Sequence, residues 1–423
     1  MTHRAHIKAA VVIVVVLAGL LAVPVGAVAG GDSCAGTPAT KPELIGTDEG
    51  ERIEGTEGDD VIVAKGGNDV IVGNGGNDLI CGGDGADEVG GGAGNDNLYG
   101  GPGVDELRGR TGDDTLSGGE GNDVLTGGEE DSSNGEGSDV DDVLYRTSDV
   151  GVMVDLTNGT AAPADPAGGA GEGMDQLAGV EGIIGSNHAD RLIGDGHANP
   201  LTGLDGADVL LGNAGPDTIN GSSGSDTASY EGSAKVAVDL AAGTAVAPDG
   251  TDTLEAVENA RGTDGPDRLV GDSQANVLMG SLGDDWMDGG RGDDSLSAGA
   301  GSDTVSYRSA PARVQLDLRG STGTVGGEVD TLGSFSNVVG SAHNDSLLGT
   351  NGANTMTGLE GNDRISGRGG RDVLRGSAGG DDLNGGEGQD TLNGANGNDS
   401  LDGGPQRDVC RAGAGTDTLR NCE

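Results

Sequence analysis

From Gly46 onward the chain repeats every nine residues, and that period narrows its possible folds more than any other feature. Written from their first residue, successive stretches read GTEGDDVIV, AKGGNDVIV, GNGGNDLIC, GGDGADEVG, GGAGNDNLY, GGPGVDELR, GRTGDDTLS and GGEGNDVLT. With the weaker GTDEGERIE in front, this array runs from 46 to 126, and further arrays of five, five and nine units begin at Gly185, Gly262 and Gly340. The sixth position is acidic in 25 of the 28 units and Asn in the other three (Asn199, Asn276, Asn354); the eighth is Ile, Leu, Val or Met in 26. Two columns held in phase in this way require a repeated structural unit, so the Gly- and Asp-rich composition does not signal low-complexity disorder. Gly at positions one, two and four lets the first six residues turn tightly. The last three form a short strand, with position eight pointing in and positions seven and nine pointing out. Two units then close one turn of a flattened right-handed coil, and the turns stack as two parallel sheets around the aliphatic column. The predicted fold class is all-β: tandem parallel β-roll or β-helix solenoids of nine-residue repeats, linked by short β inserts.

Charge decides what such a stack binds. The 423 residues carry 71 Asp and Glu against 23 Lys and Arg, a formal charge of -48, with only six aromatic side chains. That balance repels nucleic acid and anionic membrane surfaces and invites cations. The sixth-position acids should meet their counterparts in neighbouring turns at the turn-to-strand corner, beside exposed turn carbonyls. Carboxylate and carbonyl oxygens converging there suit Ca²⁺, which takes six to eight hard ligands. The candidate metal ligands are Asp60, Asp69, Asp78, Asp87, Asp96, Asp105, Asp114 and Asp123 in the first array, and Asp190, Asp208, Asp217 and Asp226 in the second. The third array offers Asp267, Asp285, Asp294 and Asp303, and the fourth Asp345, Asp363, Asp372, Asp381, Asp390, Asp399, Asp408 and Asp417.

The unit G-G-x-G-x-D-x-U-x, where U is aliphatic, resembles the calcium-binding repeat of the RTX (repeats-in-toxin) β-roll family, and the resemblance covers roughly three-fifths of the chain. It implies calcium ions bound between turns, on the order of twenty of them. Metal binding would then be coupled to folding, because calcium neutralises the acidic column and crosslinks successive turns. The three Asn units each stand second in an array, and they are expected to mark sites left empty near the start of a stack.

The N-terminus has Arg4 and Lys8, an apolar run from Ala9 to Val23, Pro24, and the small-residue exit Ala27-Val28-Ala29. This is the layout of a secretory signal peptide over 1–29, followed by a cap segment over 30–45. Four cysteines remain, and in an exported chain an even number reads as disulfides, expected as Cys34–Cys81 and Cys410–Cys422. RTX proteins typically carry a C-terminal export signal instead of a leader, so the leader here puts the dedicated exporter and a toxin role in doubt. Three related inserts (127–184, 230–261 and 307–339) separate arrays at 46–126, 185–229, 262–306 and 340–423. Their repeated pieces begin at Tyr145, Tyr230 and Tyr307. Each runs through GVMVDL, KVAVDL or RVQLDL into an Asp-x-Leu strand, and reads as calcium-free rungs that cap one roll and seed the next.

A catalytic constellation is not visible. His188, His197 and His343 all fall at position four, where positive φ is expected and His tolerates it. No nucleophile elbow, phosphate loop or H-E-x-x-H is present. Arg291-Gly292-Asp293 is a chance product of the composition, and Trp286 is expected as a lone outward aromatic. The sequence therefore points to a secreted, non-enzymatic calcium-binding scaffold, with no membrane insertion after leader cleavage. Its second reading is a calcium-dependent adhesin with a cell-surface or matrix ligand, and its third an accessory part of an extracellular enzyme.

Overall fold

The computed structural model describes residues 33–128, 139–165 and 173–423; the expected leader over 1–29 lies outside the described residues. Apart from one 3-10 turn at Pro42–Leu44, every regular element among the described residues is a strand. In the first sheet, strands Val61–Val63, Leu79–Cys81, Asn97–Tyr99 and Thr115–Ser117 pair in parallel, Val61 with Leu79, Leu79 with Asn97, and Asn97 with Thr115. In the second sheet, Arg52 pairs with Val70, Val70 with Glu88, Glu88 with Glu106, and Glu106 with Val124. Partners within an array are 18 residues apart, so two nonapeptides make one turn, and the fold is the parallel β-solenoid expected.

Position eight fills the space between the sheets. Ile62, Ile80, Leu98 and Leu116 from one side and Ile71, Val89, Leu107 and Leu125 from the other are each at most 1% exposed. Each such burial contributes roughly 2 kcal/mol. The column continues as one contiguous core from Leu44 to Leu401, through the inserts as well as the arrays. Leu419 departs from the pattern: it is half exposed, because among the described residues no strand pairs beyond Thr418–Arg420. Position nine departs at the other end. Val63 and Cys81 are buried beneath a hairpin, Ser33–Cys34 with Thr37–Pro38, which the Cys34–Cys81 disulfide pins to the stack. Cys410 and Cys422 form the second disulfide, so both pairs are those expected.

Each insert adds an antiparallel three-stranded excursion to a parallel ladder. In the third, Glu328–Gly333 pairs in parallel with Ser295–Ala300, then antiparallel with Thr322–Val325. Thr322–Val325 in turn pairs antiparallel with Val314–Asp317, which rejoins the parallel ladder at Ser346–Leu348. The first insert does the same between Val124–Gly128 and Arg191–Ile193, also in the second sheet. The second insert stands in the first sheet, between Thr218–Gly224 and Arg268–Val270.

The turns come in two conformations, which the repeat alone does not announce. In the units that follow the first two of an array, position two is left-handed, at residues as different as Lys65 (φ 79°), Leu204 (φ 78°) and Arg368 (φ 71°). In the first two units of every array it is not: Thr47, Thr56, Ser186, Asp195, Thr263, Asp272, Ser341 and Thr350 are all absent from the positive-φ residues. The histidines need correction on the same ground. His188, His197 and His343 belong to these opening units and do not have positive φ, so they do not replace a left-handed Gly.

Candidate metal-binding column

The sixth-position carboxylates line up as expected and are buried: Asp69, Asp78, Asp96, Asp105, Asp114 and Asp123 are each 1% exposed. Their Oδ1 atoms form a ladder along the stack. The N–H of Asp60 donates to Asp78, that of Asp78 to Asp96, and that of Asp96 to Asp114, each at 2.8 Å. On the other side, the N–H of Asp69 donates to Asp87, Asp87 to Asp105, and Asp105 to Asp123, at the same distance. The fourth array repeats this from Asp345 through Asp363, Asp381, Asp399 and Asp417, and from Asn354 through Asp372, Asp390 and Asp408. In the second and third arrays, Asp190 donates to Asp208, Asp208 to Asp226, Asp267 to Asp285, and Asp285 to Asp303. Asn199 donates to Asp217, and Asn276 to Asp294.

The second carboxylate oxygen separates the two turn types. In eighteen units Oδ2 is buried without any hydrogen-bond partner: at Asp69, Asp78, Asp87, Asp96, Asp105, Asp114, Asp123, Asp208, Asp217, Asp226, Asp285, Asp303, Asp363, Asp372, Asp381, Asp390, Asp399 and Asp408. All of these follow a left-handed position two. In the eight opening units the position-two N–H turns onto the sixth-position side chain instead. Thr47 donates to Glu51 at 2.8 Å, Thr56 to Asp60 at 2.7 Å, Ser186 to Asp190 at 2.6 Å, Thr263 to Asp267 at 2.5 Å and Ser341 to Asp345 at 2.6 Å. Asp195 donates to Asn199 at 2.8 Å, Asp272 to Asn276 at 2.8 Å and Thr350 to Asn354 at 2.7 Å. Hydroxyls add to this, from Thr56 to Asp60, Ser186 to Asp190 and Ser341 to Asp345, each at 2.7 Å. The three Asn side chains also donate, through Nδ2, to the carbonyls of Glu181, Glu258 and Ser336.

A buried carboxylate oxygen with no donor is costly, and burial raises the carboxyls in the middle of the stack above the ordinary carboxylate range. Asp78 is raised to about 7, by burial first and then by Asp96 and Asp60; Asp105 reaches about 7 and Asp114 about 8 for the same reasons. A cation beside Oδ2 would reverse the shift by favouring the ionised form. The backbone leaves room for oxygen and little else. A Cβ on Gly82 would overlap Oδ2 of Asp87, and one on Gly85 (φ 141°) would overlap the carbonyl of Gly67 in the preceding turn. Among the described residues no three acidic, His or Cys side chains converge on one point. A cation in this column therefore takes most of its ligands from turn carbonyls, which fits hard Ca²⁺ and not a transition metal wanting imidazole or thiolate.

Two sets of residues escaped the sequence reading. Asp141, Asp175, Asp252 and Asp330, all in inserts, carry the Oδ1 ladder between arrays, accepting the N–H of Asp114, Asp123, Asp217 and Asp294. Position five forms a second ladder of opposite sense: the N–H of Asn77 donates to Asp59, Asn95 to Asn77, and Asp113 to Asn95. The recurring G-N-D triplet was the available signal. Asp293 of the Arg-Gly-Asp stretch belongs to this position, accepting the Val329 N–H at 2.7 Å. Trp286 is not a lone aromatic; the Arg268 guanidinium lies 4.0 Å from its ring centre. The cleft of about 610 Å³ beside Arg108 and Arg110 has no acidic, Cys or His side chain in its lining.

A parallel solenoid that buries a file of half-satisfied carboxylates at its turns defines a cation-binding β-roll. The sequence profile described as RTX calcium-binding nonapeptide repeat matches the chain in overlapping windows over 45–132, 202–229, 261–305 and 339–419, more than half of its length. The chain belongs to that family and is a calcium-binding repeat protein. No curated protein matches it. Among the described residues no helix is long and apolar enough to cross a membrane.

Proposed function

We propose that this is an exported, non-enzymatic scaffold whose calcium sites lie in the units after the first two of each array. The observation that carries the reading is the set of eighteen buried, donorless Oδ2 atoms, all following a left-handed position two. Calcium there supplies positive charge that neutralises the column and bridges successive turns. Asp60, Asp190, Asp267 and Asp345, whose Oδ2 atoms already accept the position-two N–H, are structural in this proposal, and the Asn units are unfilled. Export rests on the leader-like segment over 1–29 and on disulfides, which persist in oxidising compartments. The four arrays remain distinct as calcium-loading blocks although the aliphatic core is continuous. Calorimetric titration with Ca²⁺ tests the assignment: the stoichiometry should track the donorless carboxylates and stay unchanged in Asp267→Asn, but fall in Asp105→Asn. A stoichiometry insensitive to Asp105 refutes it.

A further inference from the structure

The inserts contain a feature that calcium binding does not require. Where the arrays leave Oδ2 without a donor, the first and third inserts supply one from their own tyrosines. The buried Tyr145 hydroxyl donates to Oδ2 of Asp175 at 2.9 Å, and the buried Tyr307 hydroxyl to Oδ2 of Asp330 at 2.8 Å. Tyr230 stands in the same place against Asp252, whose influence raises its pKa after that of burial, though its hydroxyl falls outside hydrogen-bond geometry. The next carboxylate along each chain is also closed by protein donors. Asp190 accepts from Val152, Asp267 from Val236 and Asp345 from Val314 at Oδ1, in addition to their position-two N–H groups. The unit after that replaces the charge with an Asn whose amide is held on both sides. Tyr–Asp, then Ser/Thr–Asp, then Asn recurs in this order three times.

We propose that each insert, together with the two nonapeptides after it, is a metal-independent clamp that stays folded when calcium is withdrawn and from which the neighbouring array refolds. The inference rests on the calcium reading above for the arrays, and adds that calcium control is confined to them. Protein donors take the place of the cation at Asp175, Asp330 and the opening units, and none of the clamp carboxylates Asp175, Asp190, Asp252, Asp267, Asp330 and Asp345 keeps a buried oxygen without a partner to oppose folding without metal. Each clamp also has core of its own: Val236, Val238, Ala245, Leu254 and Ala260 in the second insert, and Val314, Leu316, Phe335 and Val338 in the third, are at most 6% exposed. A preformed turn spares the array beside it the unfavourable first step of stacking, as in other one-dimensional repeats.

Hydrogen exchange on the full disulfide-bonded chain, in chelator and then in excess Ca²⁺, tests this. In chelator, peptides within 230–279 and 307–357 should keep their protection, while peptides within 64–126 and 358–408 exchange as an unfolded chain. Tyr307→Phe, which keeps the ring and removes one donor, should speed exchange of 307–357 in chelator by about tenfold, the worth of one buried hydrogen bond. Uniform loss of protection in chelator, or a Tyr307→Phe clamp indistinguishable from the parent, overturns the proposal. Failure of the array peptides to gain protection with Ca²⁺ instead overturns the calcium reading, so the two failures are separable.

Discussion

Replacing Asp105 by Asn should have opposite effects with and without calcium. Asp105 stands in the middle of the first array, 1% exposed, with Oδ1 accepting the Asp87 N–H and Oδ2 lacking a donor. Its carboxyl is raised from 3.8 to about 7, by burial first and by Asp123 and Asp87 after it. Ionising it at pH 8 in the folded, metal-free chain therefore costs on the order of 4 kcal/mol, at 1.4 kcal/mol per pH unit. Asn keeps the Oδ1 acceptor and removes that cost, so the metal-free fold should gain, by about 2 kcal/mol once neighbouring carboxylates relax. With calcium present the same change removes a charged ligand, and affinity at the adjoining sites should drop by roughly tenfold or more. The contrast is Asp267→Asn: both oxygens of Asp267 accept protein hydrogen bonds, so stability should fall by about 1–2 kcal/mol in either condition. Far-UV circular dichroism reads both, through urea unfolding in saturating calcium and osmolyte-driven folding in chelator at pH 8. If Asp105→Asn is destabilising by the same amount in both conditions, the column is not the electrostatic deficit described here.

Two further outcomes follow from the same geometry. Asp78, Asp105, Asp208, Asp217 and Asp363 are raised to about 7 from 3.8, so the metal-free fold is favoured below about pH 4 and loses that contribution as pH rises through 7. A chelated chain should thus gain β-structure on acidification from pH 8 to pH 4, and the calcium needed for folding should fall over the same interval, while proton competition weakens calcium binding to the folded chain; circular dichroism in chelator and in calcium titrations at each pH checks both. Gly85→Ala places a methyl group against the Gly67 carbonyl at a φ of 141°, so calcium-loaded stability should drop by about 2 kcal/mol or more in urea unfolding, with Gly58→Ala, where nothing lies within 4 Å, as the mild control.

The period, the inward aliphatic column and the acidic corner were legible because each occupies a fixed place in the nonapeptide, and periodicity converts directly into facing. Both disulfides were legible from their pairing by chain end. Less accessible was the distinction between Asp60 and Asp69, which hold the same position in neighbouring units. That distinction lies in the φ of position two, where Thr56 turns its N–H inward and left-handed Lys65 does not. A hydroxyl at position two is not a sufficient sign, since Ser222, Ser281 and Ser377 are left-handed and the Oδ2 atoms of Asp226, Asp285 and Asp381 go without a donor. What differs is the stacking neighbour: opening units lie against an insert or cap, interior units against another array turn. The insert aspartates Asp141, Asp175, Asp252 and Asp330 were hidden for a related reason, as their sequence spacing to the ladder partner is 27, 52, 35 and 36 instead of 18.

The placement of the inserts depends on whether the number of units between them is odd or even. Five nonapeptides separate the first insert from the second, and five the second from the third, so each excursion emerges from the sheet opposite to its predecessor. Loss or gain of a single nonapeptide would move every later insert to the other flank of the rod. Loss of two would shorten the rod and leave each flank as it was. Length variants of this molecule are therefore tolerable in steps of 18 residues wherever a partner reads one flank, and a nine-residue step is a change of surface and not merely of length.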